Sequence, residues 1–212
     1  MSKSQIILLG APGSGKGTQA AKIVELGYSH ISTGDLLRAE IVKKSDLGNR
    51  ISSIINNGKL VDDVTVLELL KVNCDLDKAS YIFDGFPRNI EQAKALDEIV
   101  LQGSPIVAVY LDVSIKELVS RIVNRRTCEK CKDIYNLINK PPKNDGFCDT
   151  CGGQLILRKD DNEETVTSRM DVFEDSINPI LGYYEQRGVL KRVDASINPL
   201  KTFEQIKNII VD

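Results

Sequence analysis

Residues Gly10-Ala11-Pro12-Gly13-Ser14-Gly15-Lys16-Gly17-Thr18 follow the short apolar run Gln5–Leu9 and lead into a helical pattern over Gly17–Glu25. A strand that passes through a glycine-rich turn into a helix is the required setting of a phosphate loop, and few folds accommodate it. Gly10, Gly13, Gly15 and Gly17 let the backbone curl around Ser14 until successive N–H groups face one anion. The helix N-terminus adds its partial positive charge, and Lys16 adds a full one for the outer phosphates of a nucleoside triphosphate. The residue after the lysine is Gly17, so the hydroxyl expected to hold magnesium is displaced by one place, to Thr18. Loops of this kind serve GTPases, motor ATPases and small-molecule kinases, so the loop alone does not choose a reaction.

Further short apolar runs at Tyr81–Phe83, Ile106–Leu111 and Leu190–Val193 are each followed by a helical stretch. Strands alternating with helices predict an α/β fold with a parallel sheet covered on both faces. Ser114 with Glu117 and Thr202 with Gln205 match the capping-box pattern, and Asn89 is the expected N-cap of a helix over Ile90–Leu101. Two regions break the rhythm. Thr33–Asn73 is helical in pattern without a strand, and Arg126–Asp161 is rich in Cys, Pro, Gly and Lys; both read as insertions into the core.

The chain has 212 residues and a net charge of −2, from 28 basic and 30 acidic residues. Such a balance argues against a nucleic-acid or membrane-surface binder, which needs a basic excess. No apolar run reaches the roughly 20 residues that span a bilayer. The expectation is a cytoplasmic protein, whose thiols stay reduced and whose cysteines therefore need a role other than disulfides.

Thr33-Gly34-Asp35-Leu36-Leu37-Arg38 and Asp84-Gly85-Phe86-Pro87-Arg88 both follow apolar runs, at the strand ends where parallel sheets bind ligands. Arg38 and Arg88 can then reach one anion beside the phosphate loop. The spacing of Arg88 and Gln92 predicts a shared helix face, one side chain gripping a phosphate and the other reading a base edge. Asp84 closes an apolar strand, where magnesium, held directly or through water, satisfies its carboxylate. His30, the only histidine, reads as a packing or capping residue, and Cys74 as a small buried hydrophobe.

Cys128-Glu129-Lys130-Cys131 and Cys148-Asp149-Thr150-Cys151 form two C-x-x-C knuckles with 16 residues between them. This spacing predicts a four-thiolate zinc site with no open coordination position, structural rather than catalytic. The segment built on it gains a rigidity that its few apolar residues do not supply.

The strings GAPGSGKGTQA, STGDLLR, FDGFPRNIEQA, RIVNRR and LRKDDNEETVTSRM occur in the order and spacing of the adenylate kinases, and the chain resembles the long variant of that family, whose lid binds zinc. The resemblance implies a three-layer phosphate-loop core over 1–31, 62–125 and 164–212, a helical monophosphate-binding insertion over 32–61 and a zinc-binding lid over 126–163. It implies magnesium-dependent transfer from ATP to AMP giving two ADP, by a monomer that binds neither nucleic acid nor membrane. Lys16 and its loop would hold the donor phosphates, with Arg121 against the donor adenine. Arg38 and Arg88 would hold the acceptor phosphate, while Thr33, Leu60, Val61, Gly85 and Gln92 frame the acceptor adenine. Arg125, Arg158 and Arg169 would surround the transferring group, and Asp160 and Asp161 would help to close the lid. The acceptor oxygen is already anionic, so no general base is needed. Two positions depart from the family: Asn136 stands where a histidine commonly follows Tyr135, and Val193-Asp194-Ala195-Ser196 replaces Val-Asp-Gly near the donor base.

Two readings of another class fit the sequence less well. A GTPase needs an Asn-Lys-x-Asp motif, which Asn139-Lys140-Pro141-Pro142 lacks, and a nucleic-acid-binding zinc ribbon sits poorly with the charge and with 5% aromatic residues. A monophosphate kinase of another base preference is the nearest enzymatic rival.

Overall fold

The structure is a computed structural model that describes residues 3–57, 59–158, 161, 163–196 and 198–211, and the side chains of Glu163 and Glu164 are outside that description. Among the described residues, β1 (Gln5–Leu9), β2 (Ser29–Ser32), β3 (Tyr81–Asp84), β4 (Ile106–Asp112) and β8 (Leu190–Asp194) form a five-stranded parallel sheet in the order β2-β3-β1-β4-β8. The sequence of β1 explains its central place. All of Gln5-Ile6-Ile7-Leu8-Leu9 is buried, as a strand covered on both faces demands.

Alternate residues of β1 feed two cores. Ile7 and Leu9 join Phe83 and Ala108 beneath α5 (Ile90–Ala95) and α7 (Glu163–Gln186), while Ile6 and Leu8 join Ile82 and Val109 beneath α1 (Lys16–Val24) and α8 (Pro199–Val211). Burying each such side chain stabilises the fold by roughly 1.5–3 kcal/mol. Helix α6 (Ile115–Val123) packs over a smaller cluster of Ala11, Leu118, Ile122 and Val166.

The first irregular region is helical as expected: α2 (Thr33–Val42), α3 (Asp46–Asn56) and α4 (Asp63–Asn73). Each begins on a side chain that accepts a backbone N–H: Ser32 from Asp35, Ser45 from Gly48 and Asp62 from Thr65. The second region carries a small antiparallel sheet, β6-β5-β7, built from β5 (Arg125–Cys128), β6 (Ile134–Asn136) and β7 (Leu155–Ile156). Thr165, in the first turns of α7, donates its hydroxyl to the Asn56 carbonyl at 3.3 Å and so ties the lid's root to the end of α3.

Asn89 caps α5 as expected, accepting the Gln92 N–H at 2.7 Å, but the helix passes into a π-helical turn over Leu96–Leu101. The capping boxes differ from expectation. Ser114 is the N-cap of α6 without a side-chain bond, and Glu117 turns its carboxylate to Arg121. Thr202 lies inside α8, and Asn198 caps that helix through the Leu200 N–H at 2.8 Å. Pro199 at the first helical position starts the helix earlier than the Thr202 pattern suggested.

Candidate active site

The phosphate loop joins β1 to α1, and it lines a cleft of about 1100 Å³ at the carboxyl end of the sheet. Lys16 Nζ donates to the Gly10 and Ala11 carbonyls at 2.7 and 3.0 Å, so the loop wraps its own cation. Burial, together with Arg88, Arg169 and Arg125, lowers the Lys16 ammonium to about 8, and Asp84 opposes the fall. Ser14 Oγ is buried at the centre of the curl without a hydrogen-bond partner, the condition of a donor shaped for an anion. A Cβ on Gly17 would stand 3.0 Å from Ile134 Cδ1 of the lid sheet, a close contact with the end of a side chain.

The same cleft is lined by Thr18, Arg38, Leu60, Val61, Asp84, Gly85, Arg88, Arg121, Arg125, Arg158 and Arg169. Each arginine is held by a specific partner. Arg38 donates to Asp35 Oδ1 at 2.7 Å, Arg88 Nε to the Gly85 carbonyl at 2.7 Å and Arg158 Nε to Thr127 Oγ1 at 2.9 Å. Arg121 Nη2 reaches Glu117 at 2.6 Å and the Ala195 carbonyl at 3.0 Å. Arg125 and Arg169 both donate to Asp161, whose side chain is wholly buried. Burial and the nearby Arg125 and Arg38 guanidiniums push Arg158 down to about 10, a sign of cations crowded around a place meant for an anion. Asp160 lies outside the described residues.

Asp84 sits at the tip of β3. Burial raises its carboxyl, but the hydrogen bond to His30 and the charge of Lys16 outweigh that and keep it ionised. His30 Nε2 lies 3.3 Å from Asp84 Oδ2, so the histidine is a partner of the site's carboxylate and not a packing or capping residue. An ionised carboxylate in a cleft also lined by Thr18 and the phosphate loop offers hard oxygens of the kind that magnesium takes.

Thr33, Leu60, Val61, Gly85, Arg88 and Gln92 line a narrow second pocket that adjoins the main cleft. Gly85 has φ of 82°, and a Cβ there would meet Thr33 Oγ1 at 2.8 Å, so glycine is required for the two segments to meet. Arg88 precedes the Asn89 cap and is not on a helix face with Gln92, contrary to the spacing. Its backbone N–H instead donates to Gln92 Oε1 at 2.6 Å. Gln92 Nε2 donates to Asp63 Oδ1 at 2.6 Å.

In the lid, the Sγ atoms of Cys128, Cys131, Cys148 and Cys151 lie within 4.8 Å of one another. Cys128 and Cys151 approach to 3.4 Å, and Cys131 and Cys148 to 3.6 Å. A tetrahedral zinc at its usual bond length sets sulfurs about 3.8 Å apart, so the donor set fits that ion. Tyr135 is buried; its oxygen accepts the Asp149 N–H at 2.8 Å, which directs its own hydrogen to Cys148 Sγ at 3.5 Å. That bond lowers the Cys148 thiol to about 6. Asn136 donates to the Arg121 carbonyl at 3.0 Å and accepts the Ile138 and Asn139 N–H groups, fastening β6 to α6. Cys74 is half-buried, and burial raises its thiol to about 11, as expected of an inert one.

Asp63 and Tyr135 had no part assigned from the sequence, while His30 was expected to pack or cap and Glu117 to complete a capping box. Only Asp63 carried a signal there: a helix needs one cap, and the Asp62-Asp63 pair supplies a second acid without a task. No helix among the described residues is long and apolar enough to cross a membrane.

Comparison with known proteins agrees with the geometry. The adenylate kinase family model matches residues 8–189. The chain is 46% identical to the adenylate kinase of Thermosipho melanesiensis over 97% of its own length and 98% of the relative's. It is 41% identical to that of Thermodesulfovibrio yellowstonii over 97% and 98%, and 42% identical to that of Staphylococcus epidermidis over 98% and 97%. With its phosphate loop, its ring of arginines and a lid bearing four clustered cysteines, the chain belongs to the adenylate kinase family, in its long-lid form.

Proposed function

We propose that the enzyme transfers the terminal phosphoryl group of ATP to AMP, reversibly and with magnesium, giving two ADP and so balancing the adenine nucleotides of the cytoplasm. The observation that carries this reading is the convergence of Lys16, Arg38, Arg88, Arg125, Arg158 and Arg169 on one cleft. A phosphoryl group in flight spreads negative charge over its equatorial oxygens, and catalysis is mainly positioning and electrostatic stabilisation. Lys16 and the N–H groups of Gly10, Gly13, Ser14, Gly15, Gly17 and Thr18 grip the donor phosphates, and Arg121 lies against the donor adenine. Arg38 and Arg88 hold the acceptor phosphate. Arg125, Arg158 and Arg169 neutralise the charge that passes between them, with Arg158 and Arg169 also touching the acceptor.

Thr33, Leu60, Val61, Gly85 and Gln92 hold the acceptor adenine. Asp84, through water, and Thr18 are the residues for magnesium, which supplies charge neutralisation between the phosphates when bound. Cys128, Cys131, Cys148 and Cys151 hold a structural zinc that stiffens the lid, while Asp160 and Asp161 help it to close and exclude water. In this reading 32–61 and 126–163 are the two insertions, around a core of 1–31, 62–125 and 164–212.

The test is a coupled assay of ATP against AMP, GMP, CMP and UMP. AMP is expected to be the preferred acceptor by a wide margin. Equal rates with all four would remove the AMP assignment while leaving phosphoryl transfer in place.

A further inference from the structure

Gln92 is 2% exposed and lines the narrow pocket, of about 20 Å³ in this structure, whose residues are assigned above to the acceptor base. A carboxamide there has two orientations, related by exchange of its oxygen and nitrogen. They are not equivalent to a ligand. One orientation offers an acceptor and a donor in the order that matches the amino group and ring nitrogen of adenine. The other matches the carbonyl and N–H of hypoxanthine or guanine.

Two groups on different elements fix the choice. The Arg88 backbone N–H can only donate, and it faces Oε1 at 2.6 Å. The Asp63 carboxylate at the first position of α4 can only accept when ionised, and Nε2 faces it at 2.6 Å. Exchanging the two ends would set donor against donor at Arg88 and acceptor against acceptor at Asp63. Asp63 is itself held, by Asn89 Nδ2 at 3.4 Å to each of its oxygens, and Asn89 also accepts the Gln92 N–H. The cap of α5 and the start of α4 thus form one clasp around the amide. Helix α4 does not need Asp63 for its own capping, because Asp62 already accepts the Thr65 N–H at 3.0 Å.

We propose that Asp63 is a positioning residue for acceptor specificity: it locks the Gln92 carboxamide in one of its two orientations, the one that the AMP reading assigns to adenine over 6-oxopurines. The proposal rests on the reading of this pocket as the acceptor-base site. Each fixed amide has one hydrogen and one lone pair spent on the clasp, and the remaining pair is what the base meets.

The experiment compares kcat/KM for AMP and for IMP, with ATP as donor, in the wild type and in Asp63→Ala, Asp63→Asn and Gln92→Ala. Asp63→Ala frees one end of the amide and is expected to shrink the AMP-to-IMP ratio by about 3- to 10-fold, the range of one hydrogen bond, through KM for AMP rather than kcat. Asp63→Asn keeps an acceptor for Nε2 but can also donate to a turned amide, so its ratio is expected to fall between those of the wild type and the alanine variant. Should the alanine variant fold poorly in a thermal melt, Asp63→Ser preserves a helix start but is too short to reach Gln92, and it carries the same expectation. An unchanged ratio in the Ala or Ser variant, or an equal loss with AMP and IMP, overturns the proposal. If Gln92→Ala changes the ratio while the Asp63 variants do not, the pocket reading stands and the role of Asp63 falls. If Gln92→Ala leaves both KM for AMP and the ratio untouched, the pocket reading falls and takes the proposal with it.

Discussion

Asp161 receives the guanidinium of Arg125 in a two-pronged contact, Nε to Oδ2 at 2.8 Å and Nη2 to Oδ1, with its own side chain fully shielded from solvent. Arg169 shares the same Oδ1 at 3.3 Å. One carboxylate therefore fixes the planes of two cations from different segments. Asp161→Asn places an amide N–H group against one of those donors and removes the charge that keeps the cations together. We expect kcat to drop roughly 10- to 100-fold, the scale of a misplaced catalytic group, with a native circular dichroism spectrum. Steady-state kinetics checks this; an unchanged kcat would show that Asp161 orients nothing that matters to transfer.

Lys16 shows how the cleft stores its need for an anion. Its ammonium sits at about 8 instead of the ordinary 10.5. A lysine depressed in the folded state costs stability while both states are charged, and the cost is relieved as pH rises from about 8 to 10.5. A bound triphosphate reverses the shift, so nucleotide binding in that window takes up a proton and weakens as pH climbs. Calorimetric titration near pH 9 in two buffers of different ionisation enthalpy measures the uptake. Equal heats in both buffers would contradict it.

Lys16→Met removes the full charge and leaves the backbone curl. Turnover is expected to fall by roughly a hundred- to a thousand-fold, the scale of a lost oxyanion donor, with the melting temperature held or raised because a buried cation is gone. Near-normal turnover would refute the role given to the lysine.

The thiolate cluster makes a third kind of prediction. Removing the metal with a chelator leaves four sulfurs in contact in a lid whose buried apolar cluster is small, so the lid is expected to lose stability well before the core. Scanning calorimetry, with metal content verified, reads this as a lowered or split transition. Tyr135→Phe deletes the hydrogen bond to Cys148 and is expected to speed metal release to a chelator by about 10-fold or more. An unchanged melting profile after complete metal loss would remove the structural assignment.

Much of this molecule was readable from its residues because the demands were local. A loop that presents N–H groups to an anion needs its glycines in consecutive register, and a thiolate knuckle needs two cysteines within one turn. Asp35 and Ser32 or Asn89 and Gln92 cap helices over three residues, and sequence spacing reports such pairs. The remainder depends on neighbours distant along the chain. His30 meets Asp84 across 54 residues only because β2 and β3 are adjacent, a fact of strand order that no single run reveals. Asp63 and Gln92 are 29 residues apart. The i, i+4 spacing of Arg88 and Gln92 misled for a related reason: Asn89 starts the helix one residue after Arg88, so the arginine belongs to the loop.

Arg125 opens β5 one residue after Asn124 ends α6, Arg158 lies just beyond β7, and Arg169 rides on α7. The charges therefore stand where the chain crosses between lid and core, while the cysteines stand further out. In mechanical terms a mass near a pivot sweeps the shortest arc. We expect any swing of the lid about these crossings to move the four cysteines more than the guanidiniums, and so to change the access of water to the cleft more than the charges that line it.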